Sequence, residues 1–148
     1  VKIPITNTKR ESSKELIKRL AEKKVKLNIT AIFTLDQVKT VLSVLNEDVP
    51  SIISVFAGRV ADTGVDPVLL MKECLKATKT NLKSELLWAS PRELLNIIQA
   101  DEIGCHIITV TKDIIKKLQL INYDLENYSL DTVKMFYKDA ADAGFKIN

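Results

Sequence analysis

The spacing of apolar residues switches repeatedly along the chain between a strand-like and a helix-like pattern. Short runs of β-branched and apolar residues predict strands that begin near residues 1, 25, 51, 84 and 104. Between these runs, apolar residues recur three and four positions apart, as in the stripe of Leu16, Leu20 and Ala21. The chain is therefore predicted to consist of successive βα units.

Capping residues predict where the helices begin and end. Thr34 and Gln37 have the spacing of a capping box, and Asp66 followed by Pro67 is typical of a helix start. Residues 57–65, which directly precede Asp66, are predicted to form a loop. The remaining predicted boundaries are starts at Ser90 (with Pro91 in the first turn), Thr111 and Ser129, and an end at Gly144.

Alternation of strand and helix predicts a parallel sheet, in either an open doubly wound fold or part of a (β/α)8 barrel. Several strands carry polar residues at every second position near their ends. An open parallel sheet is apolar on both faces, whereas a barrel active site needs inward polar residues at the carboxyl ends of strands. We therefore expect an α/β fold, a partial (β/α)8 barrel. A complete barrel needs about 250 residues, so residues 1–148 are expected to form one incomplete domain.

Composition and charge exclude several classes of function. The net charge of +3 is mild and aromatic residues make up 5%, so a nucleic-acid surface is not expected, although anionic small substrates are compatible. No apolar run reaches membrane-spanning length. Cys74, Cys105 and the single histidine, His106, lack the number and spacing of zinc ligands. Reduced cysteines suit a cytoplasmic protein.

Lys2 is the first candidate for chemistry, because it lies between Val1 and Ile3 in a short apolar run. Burying an unpaired ammonium is costly, and a lysine in such a position tends to lose its proton. The neutral amine is a nucleophile toward carbonyls and can form a Schiff base. The alternative is a solvated residue at a frayed chain end.

Later strands offer polar partners for Lys2 on one predicted face. Side chains two positions apart share a face of a strand. The residues assigned to that face are Asn28 and Thr30, Ser54 and Phe56, and Trp88 and Ser90. Neutral donors and acceptors of this kind suit sugar hydroxyls, although each could instead bond local backbone. Arg59 and Arg92 follow strand ends and could grip a phosphate, or could be solvated surface residues.

Other reactive residue types fit structural roles better. His106 lies in an apolar strand without a partner at triad spacing, and Cys74 and Cys105 fit buried packing positions. The carboxylates at Asp36, Asp62 and Asp66 are assigned to capping or loop positions rather than to catalysis. The glycines form no phosphate-binding pattern.

Four segments together resemble the transaldolase and fructose-6-phosphate aldolase family of class I aldolases. They are VKIPIT, NITAIFTLDQ, ISVFAGR and WASPRE. The resemblance implies that Lys2 is the Schiff-base lysine. It implies substrate contacts at Asn28, Thr30, Ser54, Phe56 and Ser90, and phosphate contacts at Arg59 and Arg92.

The resemblance also implies an activity. It implies transfer of a three-carbon ketol unit between sugar phosphates, in the pentose phosphate pathway, without metal or organic cofactor. Phe56, where the aldolase branch has a tyrosine, favours a transaldolase over simple aldol cleavage. A third possibility is a non-catalytic fragment or a sugar-phosphate-binding module.

Alignment with the family implies that this chain supplies barrel strands 4–8 with their helices, and that the first three strands precede Val1. The family's proton-transferring aspartate and glutamate would lie there. Two unpaired strand edges would then be exposed, so association of copies and an inactive isolated chain are expected.

Overall fold

A computed structural model gives the fold and describes residues 1–145. Within that range it contains five strands and seven α-helices. The strands are β1 (Lys2–Pro4), β2 (Asn28–Ile32), β3 (Ser51–Val55), β4 (Ser84–Trp88) and β5 (Ile107–Ile108). The helices are α1 (Lys14–Glu22), α2 (Leu35–Leu42), α3 (Ala57–Ala61), α4 (Pro67–Thr78), α5 (Leu95–Glu102), α6 (Lys112–Lys116) and α7 (Leu125–Asp142), with a 3-10 turn at Lys117–Leu120. None of these helices is long and apolar enough to cross a bilayer.

The strands form one parallel sheet in the order β1-β2-β3-β4-β5, which is also their order along the chain. A doubly wound sheet reverses its strand order at a switch point, whereas a barrel adds each new strand on the same side. The sequential order is thus the one that part of a barrel has. The predicted fold class, α/β with a partial (β/α)8 barrel, is confirmed.

One face of the sheet packs against the helices. The register aligns Ile3, Ile29, Ile53 and Leu86 across the first four strands. Ile29, Ile53 and Leu86, on the three central strands, are fully buried. They pack with Ile17 and Val41 of the helices in the hydrophobic core. Burying one such side chain stabilises the fold by about 1.5–3 kcal/mol. The opposite face carries the polar residues Lys2, Asn28 and Ser54, together with the apolar Ile52 and Leu87.

The described residues divide into two compact units, residues 1–115 and the residues from 116 onward. The first unit holds the sheet and its helices. In the second, the Asp124 carboxylate caps α7 by accepting a hydrogen bond from the Asn127 amide at 2.9 Å. All described residues of α7 remain at least partly exposed. A single domain over the whole chain stays a prediction.

Two predicted helix starts are confirmed. The Thr34 hydroxyl accepts from the Gln37 amide at 3.2 Å, and the Gln37 side chain accepts from the Thr34 amide at 3.1 Å. The Asp66 carboxylate accepts from the Val68 amide at 2.9 Å, with Pro67 opening the helix. Gly144, at φ 83°, follows the end of α7 as predicted.

Three predictions of local structure are wrong. The loop predicted at residues 57–65 contains the short helix α3. Ser90 does not cap a helix: its φ is 60°, outside the extended region that a capping residue adopts. The helix starts at Leu95 instead, and Asn96 Oδ1 accepts from the amides of Arg92 and Glu93. Ser129 lies within α7, because Asp124 caps that helix earlier.

Candidate active site

A hydrogen bond across the polar face joins Asn28 of β2 to Ser54 of β3. The Ser54 hydroxyl donates to Asn28 Oδ1 at 2.7 Å, and Ser54 is 2% exposed. Since Asn28 Oδ1 accepts this hydrogen bond, the hydrogens on Asn28 Nδ2 are available to another acceptor. The predicted sharing of one face by these two residues is confirmed.

Lys2 lies directly beside Asn28 on the same face. The β1–β2 register pairs the two residues, and Ile3, the next residue, points to the buried helix side. The Lys2 side chain is exposed, because β1 is an edge strand with β2 as its one neighbour in the described sheet. The structure therefore brings the amine to the predicted face but leaves it in solvent.

Thr30 presents a buried hydroxyl without a partner. The β1–β2 register pairs it with Pro4, two residues beyond the Lys2–Asn28 pair. Its Oγ1 is buried and makes no hydrogen bond within the described part of the chain. The next residue, Ala31, has φ 58°, and the β2–β3 register shifts there, which returns Ile32 to the core. An unpaired buried hydroxyl costs about 1–3 kcal/mol, so a ligand oxygen that paired with it would recover this free energy.

Two aromatic rings and an arginine stack at the carboxyl ends of β2 and β3. The Phe33 and Phe56 rings are stacked with centroids 5.8 Å apart, and Arg59 Cζ lies 5.3 Å from the Phe56 centroid. A guanidinium over a ring gains about 0.5–1 kcal/mol at an exposed site. Phe56 and Arg59 were predicted from the sequence as site residues, whereas Phe33 was not. The detectable signal was that Phe33 directly follows β2, as Phe56 directly follows β3.

Arg92 forms an ion pair with Asp62, which follows the end of α3. The side chains are 47% and 49% exposed, and an exposed pair of this kind contributes at most about 1 kcal/mol. A phosphate could therefore displace Asp62 from Arg92 at small cost. A helix start at Ser90 would have put Arg92 in the first turn, but α5 begins at Leu95, so Arg92 lies before the helix. Asp62, which the sequence assigns to a capping or loop position, is thus the partner of a candidate phosphate-binding residue.

Ser90 and Gly58 hold the loops after β3 and β4 against each other. The Gly58 amide donates to the Ala89 carbonyl at 3.3 Å. A Cβ at Gly58 would stand 1.5 Å from the Ser90 carbonyl oxygen, so glycine is required there. Ser90 is half-buried at this junction. The contact places Ser90 next to the start of the helix that carries Arg59.

Trp88 does not belong to the polar face. The β3–β4 register pairs it with Val55, and both are fully buried with the helix-side core. Leu87, paired with Ser54, takes the other face. The predicted inward position of Trp88 is therefore wrong, because the strand alternation that linked it to Ser90 ends at the positive φ of Ser90.

The residues set aside as structural behave as packing groups. Burial raises the pKa of the Cys74 thiol to about 12, and burial also raises the pKa of Cys105. Both therefore stay protonated near neutral pH, which disfavours nucleophilic roles. His106 Nδ1 accepts from the amide of Leu86, in the middle of β4, at 3.0 Å.

Comparison with known proteins points to one family. The family model described as "Transaldolase/Fructose-6-phosphate aldolase" matches residues 1–148. The chain is 33% identical over 119 residues to "Probable transaldolase 2" of Listeria monocytogenes, covering 80% of this chain and 51% of the relative. It is 26% identical over 128 residues to "Probable transaldolase" of Herpetosiphon aurantiacus (86% and 55%) and 27% identical over 140 residues to "Probable transaldolase" of Clostridium kluyveri (94% and 59%). The chain thus spans somewhat more than half the length of these relatives.

Proposed function

The chain belongs to the transaldolase/fructose-6-phosphate aldolase family, and on that premise we propose that Lys2 forms the Schiff base of a transaldolase-type reaction. The observation that carries the proposal is the pairing of Lys2 with Asn28 on the polar face. An amine there has neutral hydrogen-bonding groups beside it for the hydroxyls of a ketose. Three-carbon transfer between sugar phosphates, as in the pentose phosphate pathway, is the function we assign to the complete protein.

The proposed reaction begins when neutral Lys2 Nζ attacks the ketone carbon. A C–N bond forms, the carbonyl oxygen takes up a proton, and loss of water gives an iminium. The bond between the third and fourth carbons then breaks. Its electron pair moves into the iminium to give an enamine on Lys2, and the hydroxyl on the fourth carbon loses its proton as an aldose phosphate leaves. The enamine attacks an acceptor aldehyde, and water releases the product and restores the amine.

The other site residues are assigned to binding. Asn28, Thr30, Ser54 and Ser90 would bond the sugar hydroxyls, and Thr30 has an unpaired buried hydroxyl with which to do so. Phe56 would cover the sugar carbons. Arg59 and Arg92 would hold the phosphate, Arg92 after release from Asp62. The base that takes the hydroxyl proton is not assigned to a residue of this chain. A cytoplasmic location fits the proposal, because Cys74 and Cys105 are free thiols.

Borohydride trapping tests the assignment. The chain is incubated with fructose 6-phosphate and borohydride, both alone and fused behind the N-terminal half of the Listeria monocytogenes relative, and the reduced adduct is mapped by peptide mass. We expect the adduct on Lys2, lost in Lys2→Arg and kept in Lys26→Arg, an exposed lysine just before β2. Labelling spread evenly over the exposed lysines, or unchanged in Lys2→Arg, would reject the Schiff-base role.

Simple aldol cleavage is the second candidate within the family. Phe56 lacks the hydroxyl that could hold a water or donate a proton, and its ring is covered by Phe33 and Arg59. We therefore expect turnover to require an acceptor aldose. Equal rates of ketose phosphate consumption with and without an acceptor would favour the aldolase instead. Binding of fructose 6-phosphate without any trapped adduct would favour a sugar-phosphate-binding module.

A further inference from the structure

A cavity of about 470 Å³ lies in the first unit at the amino-terminal ends of β4 and β5. Its wall comes from α4, the segment from the end of α4 to the start of β4, and the turn before β5. Ser84 shares the helix-packed face of β4 with Leu86, whereas Lys2, Asn28 and Ser54 lie on the other face of the sheet. The cavity is therefore separate from the candidate active site, and nothing in the proposed reaction uses it.

Two buried polar groups in the cavity wall have no hydrogen-bond partner within residues 1–145. They are Asn81 Nδ2 and Ser84 Oγ, on residues that are 4% and 5% exposed. Asn81 Oδ1 accepts from the Lys83 amide at 3.1 Å, which fixes the amide with its NH2 group unpaired. Unpaired buried donors are costly and rare, so each requires an explanation.

Ser51 shows that an unpaired serine is not a general feature of strand starts in this sheet. The β3–β4 register pairs Ser51 with Ser84, and Ser51 is 3% exposed, like its neighbour. The Ser51 hydroxyl donates to the Val49 carbonyl at 3.4 Å, whereas Ser84 has no such acceptor. The difference is that Ser84 borders the cavity.

A third donor comes from His106 in the same wall. Its Nδ1 accepts from the Leu86 amide, so Nε2 is the ring nitrogen that can donate to a ligand. The cavity thus offers three donors: an amide, a hydroxyl and an imidazole. A ligand that satisfies them must present acceptor oxygens.

The rim of the cavity is positively charged and its walls are partly apolar. The charged lining residues are three lysines, Lys72, Lys76 and Lys79, and one carboxylate, Glu73. The Glu73 carboxylate pairs with Lys76 Nζ at 2.6 Å. Two positive charges remain, and an anion is favoured over a neutral ligand. The apolar lining residues are Leu69, Leu75, Leu82 and Ile103.

We propose that this cavity is a second ligand site, which binds a short-chain aliphatic carboxylate. Its two oxygens would accept from Asn81 and Ser84, and its alkyl body would lie against the leucines. A carboxylate fits better than a phosphate, because the buried donors are neutral and the cations stand at the exposed rim. A doubly charged group would lose more hydration there than these contacts return.

Titration with hexanoate tests the proposal on the 148-residue chain. The side-chain NH2 signal of Asn81 and the ring signals of His106 are followed in 15N–1H spectra, and the affinity is measured by calorimetry. We expect saturable shifts of these signals with a roughly millimolar Kd, since a small ligand gains limited free energy. Hexanol, which has the same body without charge, and inorganic phosphate, which lacks the body, should each bind at least several-fold more weakly.

Matched variants show whether the cavity is a ligand site or a cavity that binds nothing. Ser84→Ala should weaken hexanoate binding about tenfold by removing one donor to an anion, whereas Ser51→Ala should leave it unchanged. The double variant Lys72→Gln/Lys79→Gln should weaken it without touching the core. The absence of saturable shifts, equal affinity for hexanol or phosphate, or unchanged binding in Ser84→Ala would each overturn the proposal.

Discussion

Replacing Gly58 with alanine should strongly destabilise the sheet unit, although alanine is the better helix former. The new Cβ would stand 1.5 Å from the Ser90 oxygen and 2.5 Å from its carbon, both backbone atoms that no side-chain rotation can move. Relieving the clash requires separating α3 from the end of β4. Overpacking of this kind costs about 1–3 kcal/mol or more. The Gly58–Ala89 hydrogen bond adds about 1 kcal/mol when broken. Helix propensity returns about 1 kcal/mol, which offsets the lost hydrogen bond, so the net loss should be about 1–3 kcal/mol or more.

Urea unfolding measures this loss. Trp88, the one tryptophan, is fully buried beside this junction at the end of β4, so its fluorescence reports the unfolding of the unit. Gly64→Ala is the matched control, because nothing lies within 4 Å of its added Cβ and its φ of 81° is the source of strain. That strain costs about 1–2 kcal/mol. If Gly58→Ala unfolds at the same urea concentration as wild type while Gly64→Ala unfolds at a lower one, the close approach of the two loops is not what the structure describes.

Three further predictions concern charge, ionisation and association. Because burial raises the folded pKa of the Cys74 thiol, the unfolded chain loses the thiol proton at a lower pH than the folded chain, and stability should fall as pH rises from 9.0 towards about 12. Urea titrations of Cys74→Ala should lack this fall. An equal dependence of stability on pH in wild type and variant would contradict the shift. Asp62→Asn should change stability by less than about 1 kcal/mol, because the Arg92–Asp62 pair is exposed. The variant frees Arg92 and should therefore bind inorganic phosphate two- to threefold more tightly in calorimetry. Unchanged phosphate binding would show that Arg92 is not part of the phosphate site. Light scattering should give a mass above 16.6 kDa, because β1 and β5 leave the sheet with unpaired edges in the described residues, and a strict monomer would contradict this.

The strand order and most of the polar face could be predicted because their signals are local. β-branched runs mark strands wherever they occur, and a two-residue period assigns faces as long as the strand stays regular. Asn28 and Ser54 meet that condition, and the hydrogen bond between them is the result. Trp88 and Ser90 do not meet it, because the chain leaves the extended conformation between them.

What the sequence could not predict depends on contacts between distant segments. Helix α3 has five residues, too few to show a helical period, and its position depends on Gly58 meeting Ser90. The capping-box pattern at Ser90 fails because the Asn96 side chain takes the amides that Ser90 would have served. Arg92 and Asp62 are 30 positions apart in the chain, so no local sequence pattern predicts that they pair.

The irregular backbone at the carboxyl ends of the strands supports a functional site there without reference to any relative. Ala31 and Ser90 adopt positive φ at or just beyond the ends of β2 and β4, at a cost of about 1–2 kcal/mol each. Thr30, next to one of them, leaves a buried hydroxyl unpaired, and Gly58 forgoes a side chain to meet the other. Local choices that lower stability cluster at functional sites, although Arg10, Lys24 and Asn122 also have positive φ elsewhere in the chain. At the carboxyl ends of β2 and β3 they lie beside Thr30, Phe56 and Arg59, so this strain coincides with part of the candidate site.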